Sequence, residues 1–343
     1  MPLKLRTLDA ASAPAWDAFV ASMPQGTFFH RAPWARVIET AFHHRACYTY
    51  AERDGVIAGV LPLAQVKTRL FGNTLVSVPF CVYGGPLAVD AETRTALEAH
   101  ATELMRTSGA AAVEFREREA VGGEWQSRPD LYVTFRKPIE ADHERNMKAI
   151  PRKQRAMVRK GIQNGLTSVV SRYPDPLHRI YAESVRNLGT PVFSRRYFAI
   201  LLDAFHDCAD VVTIMDGEEP IASVMSFYDR DEVLPYYGGG TFSARRRAGN
   251  DFMYWEVMRR AADRGYRLFD FGRSKLGTGA FAFKHNWGFE PVPLQYRYRL
   301  APGAAIPDHN PANPKYRMFI SAWKKLPLPV ANILGPPIVR GLG

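Results

Sequence analysis

An internal repeat constrains the fold of this chain more than any other sequence feature. The segment FHRAPWARVIETAF resembles the later segment FSRRYFAILLDAF, and DGVIAG resembles DGEEPIAS. Phe193 lies 164 residues after Phe29, and Ile221 lies 164 residues after Ile57. The pairs YGGP with YGGG and AVEFR with LFDFGR follow in the same order. Self-similarity of several motifs in one order predicts a duplicated domain.

Each copy contains alternating strand and helix patterns. In the first copy, residues 33–42 carry apolar side chains at helical spacing, and Asp54-Gly55 is a turn pair typical of a β-hairpin. Strands at 48–51, 56–66, 74–82 and 113–116 and a helix at 91–107 complete this copy, and residues 141–289 repeat the order. We therefore predict an α/β (α+β) fold of two copies, each a mixed, largely antiparallel sheet flanked by helices.

The repeat also gives the expected domains. They are residues 1–140, residues 141–300, which carry the presumed active site, and residues 301–343, a Pro-rich tail with a short amphipathic segment. The segment Met318 to Lys325 is the predicted amphipathic helix. The Pro-broken apolar end after it either lies on a membrane surface beside Lys324, Lys325 and Arg340 or docks onto the protein itself.

Composition limits the classes of partner. The 343 residues carry a formal net charge of +11 with a pI of about 9.6, which favours anionic partners such as phosphates, nucleic acid or an anionic membrane face. The cysteines are isolated, so neither a disulfide framework nor a metal site is expected, and a reducing cytoplasm fits best. The N-terminus does not resemble a secretory signal. Residues 70–89 are uncharged but contain proline and glycine, so no transmembrane segment is expected.

The stretch FDFGRSKLGTGAFAFKHNWGF, residues 269–289, combines features that an active site needs. A strand pattern leads into a glycine-rich turn, where backbone N–H groups together with Arg273 and Lys275 can hold an anionic group. An ordinary polar loop explains the glycines equally well. Lys284 favours the functional interpretation, because Phe283 and Trp287 give it apolar surroundings that a solvated lysine does not need.

A basic segment between the copies, ERNMKAIPRKQRAMVRKGIQNGL at 144–166, predicts one amphipathic helix that ends at Asn164-Gly165. The residues predicted on its basic face are Lys148, Arg152, Arg155 and Arg159, and those predicted to face inward are Met147, Ile150, Val158 and Ile162. A solvated helix explains the pattern about as well as a binding site does. However, no Asp or Glu lies between positions 145 and 175, and an anionic ligand better explains an uncompensated basic face.

Two tyrosines precede three glycines in the second copy. Tyr236 and Tyr237 before GGG are typical of a strand end that opens onto a cleft, which makes them candidates for substrate binding. Core tyrosines with one satisfied hydroxyl are the more common alternative. The sequence pattern leaves both interpretations open.

With the repeat, the basic helix and the FxFKxxWGF segment, the chain resembles the Fem (FemAB-like) peptidyltransferases and the related acyltransferases with two copies of the GNAT fold. More narrowly, it is similar to the Fem-like branch associated with exosortase (PEP-CTERM) envelope systems. The resemblance spans about residues 5–300 and is densest at PRKQRAMVRKGIQNGL and at residues 269–289. It implies two tandem GNAT-like domains and transfer of an acyl or aminoacyl group onto an amine in cell-envelope or exopolysaccharide-related biosynthesis.

The resemblance also implies residue roles. The family's lysine in an FKxxWG segment corresponds to Lys284 after Phe283, and its implied role is to stabilise negative charge that develops on the carbonyl oxygen. Arg152, Arg155, Arg159 and Lys160 correspond to the family's basic helix, which implies contact with phosphates of the donor or the acceptor. No tightly bound cofactor is implied, and acyl-CoA or aminoacyl-tRNA is the implied co-substrate. The chain lacks both the coiled-coil arm of some Fem enzymes and the RxxGxG pyrophosphate loop of GNAT enzymes, so the donor stays open.

The sequence therefore predicts a cytoplasmic acyltransferase, free or peripheral to the inner membrane, that acts on an anionic small molecule or an envelope precursor. Asp270 is expected to act as a general base or to orient the acceptor amine, with a structural ion pair to Arg273 as the alternative. The expected substrate-binding residues are Arg152, Arg155, Arg159, Tyr236, Tyr237, Arg273, Lys275, Phe283 and Trp287. The alternative function is a non-catalytic protein that binds nucleic acid or anionic glycan, or a scaffold of an envelope assembly system.

Overall fold

The computed structural model describes residues 2–306 and 314–343, in which the chain forms two units. The first unit comprises Met1–Asp130, Pro293–His309 and Arg340–Gly343, and the second comprises Leu131–Val292 and Asn310–Val339. Part of the predicted Pro-rich tail, residues 307–313, lies outside the described residues.

The elements below are numbered in chain order. The helices are α1 (Ala13–Ser22), α2 (Pro33–Phe42), α3 (Ala91–Ser108), α4 (His143–Ala149), α5 (Arg152–Gln163), α6 (Pro174–Leu188), α7 (Arg195–Ala204), α8 (Phe242–Arg247), α9 (Gly249–Asp263), α10 (Gly279–Asn286), α11 (Pro314–Trp323) and α12 (Leu328–Val339). The strands are β1 (Lys4–Thr7), β2 (Arg45–Arg53), β3 (Val56–Thr68), β4 (Gly72–Ser77), β5 (Leu87–Ala88), β6 (Ala112–Glu117), β7 (Gln126–Arg128), β8 (Tyr132–Pro138), β9 (Thr167–Ser171), β10 (Ala209–Asp216), β11 (Glu219–Asp229), β12 (Glu232–Gly240), β13 (Leu268–Lys275), β14 (Pro291–Pro293) and β15 (Gln295–Leu300).

The first unit is built on a sheet with strand order β1-β2-β3-β4-β6-β15-β7, and β5 pairs with β3. The predicted hairpin between β2 and β3 is present. Asp54 and Gly55 both have positive φ angles, 54° and 79°, which match the right-handed twist of the flanking strands. The pair β4 and β6 is parallel, with Leu75 opposite Val113. Apolar side chains of β3, β6 and α3 form its core, including the fully buried Phe115.

The second unit has a sheet with strand order β14-β8-β13-β12-β11-β10-β9. It repeats the plan of the first unit, because β10, β11, β12, α9 and β13 follow one another as β2, β3, β4, α3 and β6 do. Again β12 and β13 are parallel, while β13 pairs with β8, β12 with β11, β11 with β10 and β10 with β9 in antiparallel directions. Buried side chains of this sheet and of α9 form its core, among them Val224, Val257 and Phe269. Both units therefore present a parallel strand pair at the same point of the repeat.

Each sheet also contains a strand from outside its own repeat. β15, near the C-terminal end, lies between β6 and β7 in the first sheet, and β8, which precedes the second repeat, pairs with β13 in the second sheet. The boundary between the units consequently follows Asp130, ahead of the position expected from the repeat. Strand pairing over a long sequence separation leaves no local signal, so the repeat alone could not place this boundary.

The basic segment is not one helix as predicted, because Pro151 separates α4 from α5. Ile150 adopts an extended conformation before the proline, which disfavours helical geometry at the preceding residue. Lys148 consequently lies on α4, where it pairs with Glu144 at 3.4 Å. Ile162, predicted to face inward, is exposed, whereas Val158 is fully buried.

The tail forms two helices. α11 extends the amphipathic helix predicted from residue 318, and α12 runs through the apolar end that was expected to be broken by prolines. Pro336 and Pro337 lie in the last turn of α12, where neither can donate the backbone hydrogen bond to the carbonyl one turn earlier. No helix among residues 2–306 and 314–343 is both long enough and apolar enough to cross a membrane.

Candidate functional site

A β-bulge in β13 organises the candidate site. The register with β8 places Asp270 opposite Arg136 and Arg273 opposite Thr134, so β13 accommodates one extra residue. Gly272 lies in this bulge with φ 66°, a left-handed conformation that glycine adopts without strain. Its N–H donates to the Asp270 carboxylate at 2.6 Å. The bulge leaves the carbonyl oxygens of Gly272 and Arg273 able to accept hydrogen bonds from a side chain on α10.

Lys284 on α10 is that side chain. Its Nζ donates to the carbonyl oxygens of Gly272 at 3.1 Å and Arg273 at 2.9 Å, and it lies 5.7 Å from the centre of the Phe135 ring. Burial lowers the pKa of Lys284 to about 7, while the Asp270 carboxylate opposes this shift and Arg273 adds to it. An ammonium group has three N–H donors, so one remains for a ligand. Lys284 is therefore a fixed group that titrates near neutral pH.

The turn before α10 places Lys284. β13 continues to Lys275, beyond the point where the sequence predicted a glycine-rich loop, and Gly277 then turns the chain with φ 73°. Thr278 caps α10, because its Oγ accepts from the N–H of Phe281 at 3.2 Å and donates to the carbonyl of Lys275 at 2.8 Å. The short turn and the capped helix thus reverse the chain after β13, so that the side chain of Lys284 reaches the bulge.

Lys284 lines a cleft of about 190 Å³ in the second unit. The parallel strands β12 and β13 pair at Glu232 with Leu268 and at Val233 with Phe269, after which they separate. The cleft is lined by the C-terminal glycines of β12 together with side chains from α6, α9 and α10. The separation of two parallel strands therefore creates a binding space at the carboxyl end of β12.

The glycines of β12 keep this space open. A Cβ atom on Gly239 would lie 2.7 Å from the Cβ of Ser184, and one on Gly240 would lie 2.2 Å from the Oδ1 of Asn250. A Cβ atom on Gly239 would collide with α6 itself, so a glycine is needed there, whereas at Gly240 the end of the Asn250 side chain would have to move aside. Ser184 and Asn250 line the cleft, and the sequence analysis did not identify them, because each needs the packed helices to bring it to the glycines.

Tyr254 is a third lining residue that the sequence analysis missed. Its hydroxyl would be 3.2 Å from a Cβ on Gly238, and its ring centre lies 5.5 Å from that of Phe283. Burial raises the pKa of Tyr254 to about 12, so the hydroxyl stays protonated at neutral pH. It adds a hydrogen-bond donor to the cleft.

Residues 152–285 match the model of the acetyltransferase (GNAT) domain. No curated protein sequence matches the chain significantly. Among solved structures, the chain is similar to FemX at 16% identity and a TM-score of 0.65, covering 86% of this chain and 96% of FemX.

Two further structures share the fold. One is the C-terminal domain of a putative lysylphosphatidylglycerol synthetase from Agrobacterium fabrum, at 14% identity and a TM-score of 0.54, covering 85% of this chain and 93% of that domain. The other is a tandem GNAT protein from the clavulanic acid biosynthesis pathway, at 14% identity and a TM-score of 0.54, covering 89% of this chain and 100% of that protein. The chain folds as two tandem GNAT-like domains. The predicted fold class is confirmed.

Asp270 is buried in the second GNAT-like domain and binds protein groups. Besides the N–H of Gly272, its carboxylate lies 3.2 Å from the Nε of Arg136, whose guanidinium also reaches Glu232 at 2.5 Å. The structural ion pair that the sequence suggested is therefore made with Arg136 on β8. Its contacts with the bulge and with Arg136 give Asp270 a means to position Lys284.

The side chains of Arg273 and Lys275, near the end of β13, reach over Tyr132 of the neighbouring strand β8. The Arg273 guanidinium is 4.6 Å from the ring centre of Tyr132, and the Lys275 ammonium is 5.4 Å from it. Both groups are partly exposed. The two cationic groups thus lie close to one tyrosine ring. Neither side chain lines the cleft that contains Lys284.

The predicted aromatic residues take different positions. Phe283 lines the cleft beside Lys284. Trp287 is fully buried, and its indole N–H donates to Asp251 at 3.0 Å, which fixes α10 against α9. Tyr237 is also buried, and its hydroxyl lies 2.7 Å from that of Tyr197. Tyr236 is partly buried next to it. Phe283 therefore lies in the cleft with Lys284, whereas Trp287 and Tyr237 are buried in the packing of the unit.

Arg152, Arg155 and Arg159 lie on α5, with Arg152 and Arg159 exposed and Arg155 partly exposed. Their neighbour Val158 packs in the core, which anchors the helix and turns the arginines outward. Within residues 2–306 and 314–343, no acidic side chain forms an ion pair with these three arginines, in contrast to Lys148. α5 therefore presents an uncompensated basic face, as expected from the sequence. Lys148 is not part of it, because it lies on α4 and pairs with Glu144.

The first unit has a cavity at the equivalent point of the repeat, with different chemistry. Tyr83 and Gly84 line it together with Glu117 and Arg118. The Glu117 carboxylate is bound by Arg94 and by the Nε of Arg297, the latter at 2.5 Å. A buried ion-pair network stands here where the second unit has a lysine and a glycine-lined cleft. The described residues show no group of His, Cys, Asp and Glu side chains able to hold a metal ion.

Proposed function

We propose that this chain is an acyltransferase that moves an acyl or aminoacyl group onto an amine in the cleft of its second unit. The observation that carries the proposal is the position of Lys284. Its Nζ is fixed by two backbone carbonyls, its pKa lies near 7, and it lines a cleft formed where two parallel strands separate. Perturbed lysines in clefts are candidates for chemistry rather than for stability.

The proposed reaction is a direct transfer. The uncharged nitrogen of the acceptor amine attacks the carbonyl carbon of the donor, and the carbonyl oxygen gains negative charge. The third N–H of the Lys284 ammonium donates to this oxygen, which stabilises the charge as it develops. The bond from the carbonyl carbon to the donor's sulfur or oxygen then breaks, and the proton lost by the nitrogen passes to that leaving atom.

Tyr254 is proposed to relay this proton: its hydroxyl donates to the leaving atom and takes the proton lost by the acceptor nitrogen in return. Its hydroxyl stays protonated because its pKa is about 12, and it lines the cleft between Gly238 of β12 and Phe283 of α10. A thiolate or alkoxide formed there would have a donor within the same cleft. The glycines of β12 that line the cleft are proposed to supply backbone groups for the donor.

Asp270 is proposed to position Lys284 rather than to accept a proton. It holds the N–H of Gly272 and pairs with Arg136, so the bulge that fixes Lys284 depends on it. Phe283 is proposed to contact the substrate in the cleft. Arg273 and Lys275 on the edge of β13 are proposed to bind a phosphate outside it, and Tyr236, Tyr237 and Trp287 are proposed to act through packing.

The exposed basic face of α5 supports an anionic substrate. Arg152, Arg155 and Arg159 are proposed to contact phosphates of the donor or of the acceptor, which fits acyl-CoA, aminoacyl-tRNA or a nucleotide-linked or lipid-linked precursor. The names of the structural neighbours, FemX and a putative lysylphosphatidylglycerol synthetase, are consistent with envelope biosynthesis. We propose that the protein acts in the cytoplasm, free or peripheral to the inner membrane, and that it belongs to the exosortase-associated branch. The genes that neighbour its own would test the second proposal.

The test uses the full-length protein with acetyl-CoA or with total aminoacyl-tRNA, each with and without an extract of envelope precursors. Release of free CoA or of uncharged tRNA is measured.

Lys284→Met should lower the acceptor-dependent release about a hundredfold or more without lowering the melting temperature, because the charged hydrogen-bond donor to the carbonyl oxygen is lost. Lys67→Met, at an exposed position of β3, is the matched control. Retained turnover in Lys284→Met would overturn the role of Lys284, and no consumption of either donor by the wild type would count against the acyltransferase.

A second candidate function rests on the same basic face. A non-catalytic protein or scaffold of an envelope assembly would bind nucleic acid or anionic glycan through Arg152, Arg155 and Arg159. In that case binding should fall steeply with salt, Lys284→Met should bind as the wild type does, and neither donor should be consumed. Equal binding by the two proteins without turnover favours this function over transfer.

A further inference from the structure

The last described helix, α12, has two distinct apolar faces. Ala331, Gly335 and Val339 are buried at spacings of four. Val330, Ile333 and Leu334 are exposed on the other face, Ile333 to 74% of its surface. A surface helix of a water-soluble domain normally presents polar residues outward, so an outward apolar face indicates a binding surface.

The inner face fixes α12 to the second unit. A Cβ atom on Gly335 would lie 2.9 Å from the backbone nitrogen of Val192, so the helix approaches the segment after α6 as closely as only glycine permits. α11 is held in the same region, because Arg186 donates to the carbonyl of Lys324 at 3.3 Å and Gly189 packs against Ile320. The outer face of α12 is therefore presented by a docked helix, and it is not needed for packing within the unit.

Further exposed apolar side chains lie on α11, which precedes α12 in the chain, and on α6, which packs against α12. Met318 on α11 is 82% exposed, Phe319 is 40% exposed, and Leu188 at the end of α6 is 61% exposed. We call the exposed apolar residues of α11 and α12 the tail surface: Met318, Phe319, Val330, Ile333 and Leu334. Such side chains gain free energy when they leave water, roughly 25 cal/mol for each Å² of apolar surface removed.

The charges of the segment favour a lipid surface. Residues 314–339 contain four basic residues and neither Asp nor Glu: Lys315, Arg317, Lys324 and Lys325. Lys324 and Lys325 are exposed in the turn between α11 and α12. In a symmetric dimer through this face, two such segments would bring like charges together without an acidic residue of the segment to compensate them. Anionic lipid headgroups supply that compensation.

We propose that the tail surface binds an anionic membrane, with Ile333 and Leu334 inserted among the lipid acyl chains and Lys324 and Lys325 at the headgroups. α12 has 12 residues, about 18 Å at 1.5 Å per residue, which is shorter than the roughly 30 Å hydrocarbon core, so it lies in the interface. This surface stands independently of the transfer reaction, since none of its residues lines the cleft.

The experiment is cosedimentation of the full-length protein with vesicles of phosphatidylcholine alone or mixed with phosphatidylglycerol. The wild type should bind the mixed vesicles, and more weakly as salt is raised. Ile333→Ser with Leu334→Ser should weaken binding about tenfold or more, and Lys324→Gln with Lys325→Gln about tenfold. Matched controls in the first unit, Val56→Ser with Leu70→Ser and Lys67→Gln with Arg69→Gln, should bind as the wild type does.

Two results would overturn the proposal. One is a failure of the vesicle assay: either the wild type does not sediment with the mixed vesicles, or the tail variants sediment with them as well as their controls do. The other is a dimer in sedimentation velocity without vesicles that the double serine variant dissociates, since this assigns the face to a second copy of the chain. Melting temperatures of all variants show that the fold is retained.

Discussion

The Nζ of Lys284 lies 2.9 Å from the carbonyl oxygen of Arg273, the residue at which β13 resumes its pairing with β8 after a β-bulge. A second bond to the carbonyl of Gly272 at 3.1 Å fixes the ammonium from the same bulge. Two neutral acceptors hold the side chain without neutralising it. Burial can therefore lower its pKa to about 7 while the position stays fixed.

The first prediction concerns the pH dependence of transfer. If the Lys284 ammonium stabilises the carbonyl oxygen, its contribution is present below a pH of about 7 and is lost as the lysine loses its proton above it. The ratio of kcat/KM between the wild type and Lys284→Met should therefore fall as pH rises through about 7. Using the ratio removes the titration of the acceptor amine, which both proteins share. A ratio that rises with pH would instead assign the neutral amine as a general base.

The second prediction concerns stability. The folded-state pKa of Lys284 is lowered from 10.5 to about 7, so between these values the unfolded chain binds more protons than the folded one. The free energy of unfolding contributed by this group consequently rises with pH across that window and is lowest below pH 7. Lys284→Met should exceed the wild type in urea stability by a larger margin at pH 6 than at pH 9. Lys67→Met should show no such change of margin.

The third prediction tests the bulge. Gly272→Ala forces a side chain into the left-handed region at φ 66° and should cost about 1 kcal/mol of stability. Gly277→Ala is a matched control, because its φ is 73° and a Cβ there meets nothing within 4 Å. Chemical denaturation should show the cost of this backbone strain in both variants. Only Gly272→Ala should lower kcat, about tenfold or more, because only Gly272 shapes the carbonyls that hold Lys284.

Local signals made part of this fold predictable. Asp54-Gly55 specifies a hairpin turn by its own dihedral preferences, and the apolar spacing of Pro33–Phe42 specifies a helix, so both were found from the sequence. The partial burial of Lys284 was also foreseen, because its aromatic neighbours lie within one helical turn. In each case the physical cause lies within a few residues of its effect.

The parts that were missed depend on distant residues. The bulge at Gly272 requires the register between β13 and β8, and the glycine-rich loop expected there is strand for that reason. Ser184 and Asn250 reach the cleft through the packing of two helices against β12. The break at Pro151 is different, because a proline within a helical pattern is a local signal. The prediction of one continuous helix gave more weight to the spacing of the basic residues than to this proline.

The fourth prediction concerns the cleft wall. Gly239→Ala places a Cβ 2.7 Å from the Cβ of Ser184, so α6 or β12 must shift and narrow the cleft. KM for the donor should rise more than kcat falls. Adding Ser184→Gly removes the clashing atom and should restore KM, although a glycine inside α6 costs about 1 kcal/mol of stability. Failure of the second substitution to restore KM would show that Gly239 acts on the donor in some other way than through the width of the cleft.

The last prediction concerns the basic face of α5. Replacing Arg152, Arg155 and Arg159 together by Gln should raise KM for a phosphate-bearing substrate about tenfold at low salt, because unpaired arginines gain most from an anion. The difference should shrink at high salt as the charges are screened.

A second triple variant separates this face from net charge. Arg106 and Arg195 are exposed and Arg128 is partly exposed, and the three pair with Glu103, Asp175 and Asp130 respectively. Replacing them by Gln therefore removes the same charge from elsewhere on the surface. Their ion pairs already satisfy them, and KM should stay near the wild-type value. An equal rise of KM in both variants would show that the total charge of the protein attracts the substrate. A rise confined to the first variant places the phosphate contact on α5, on a helix that Pro151 has separated from the compensated Lys148.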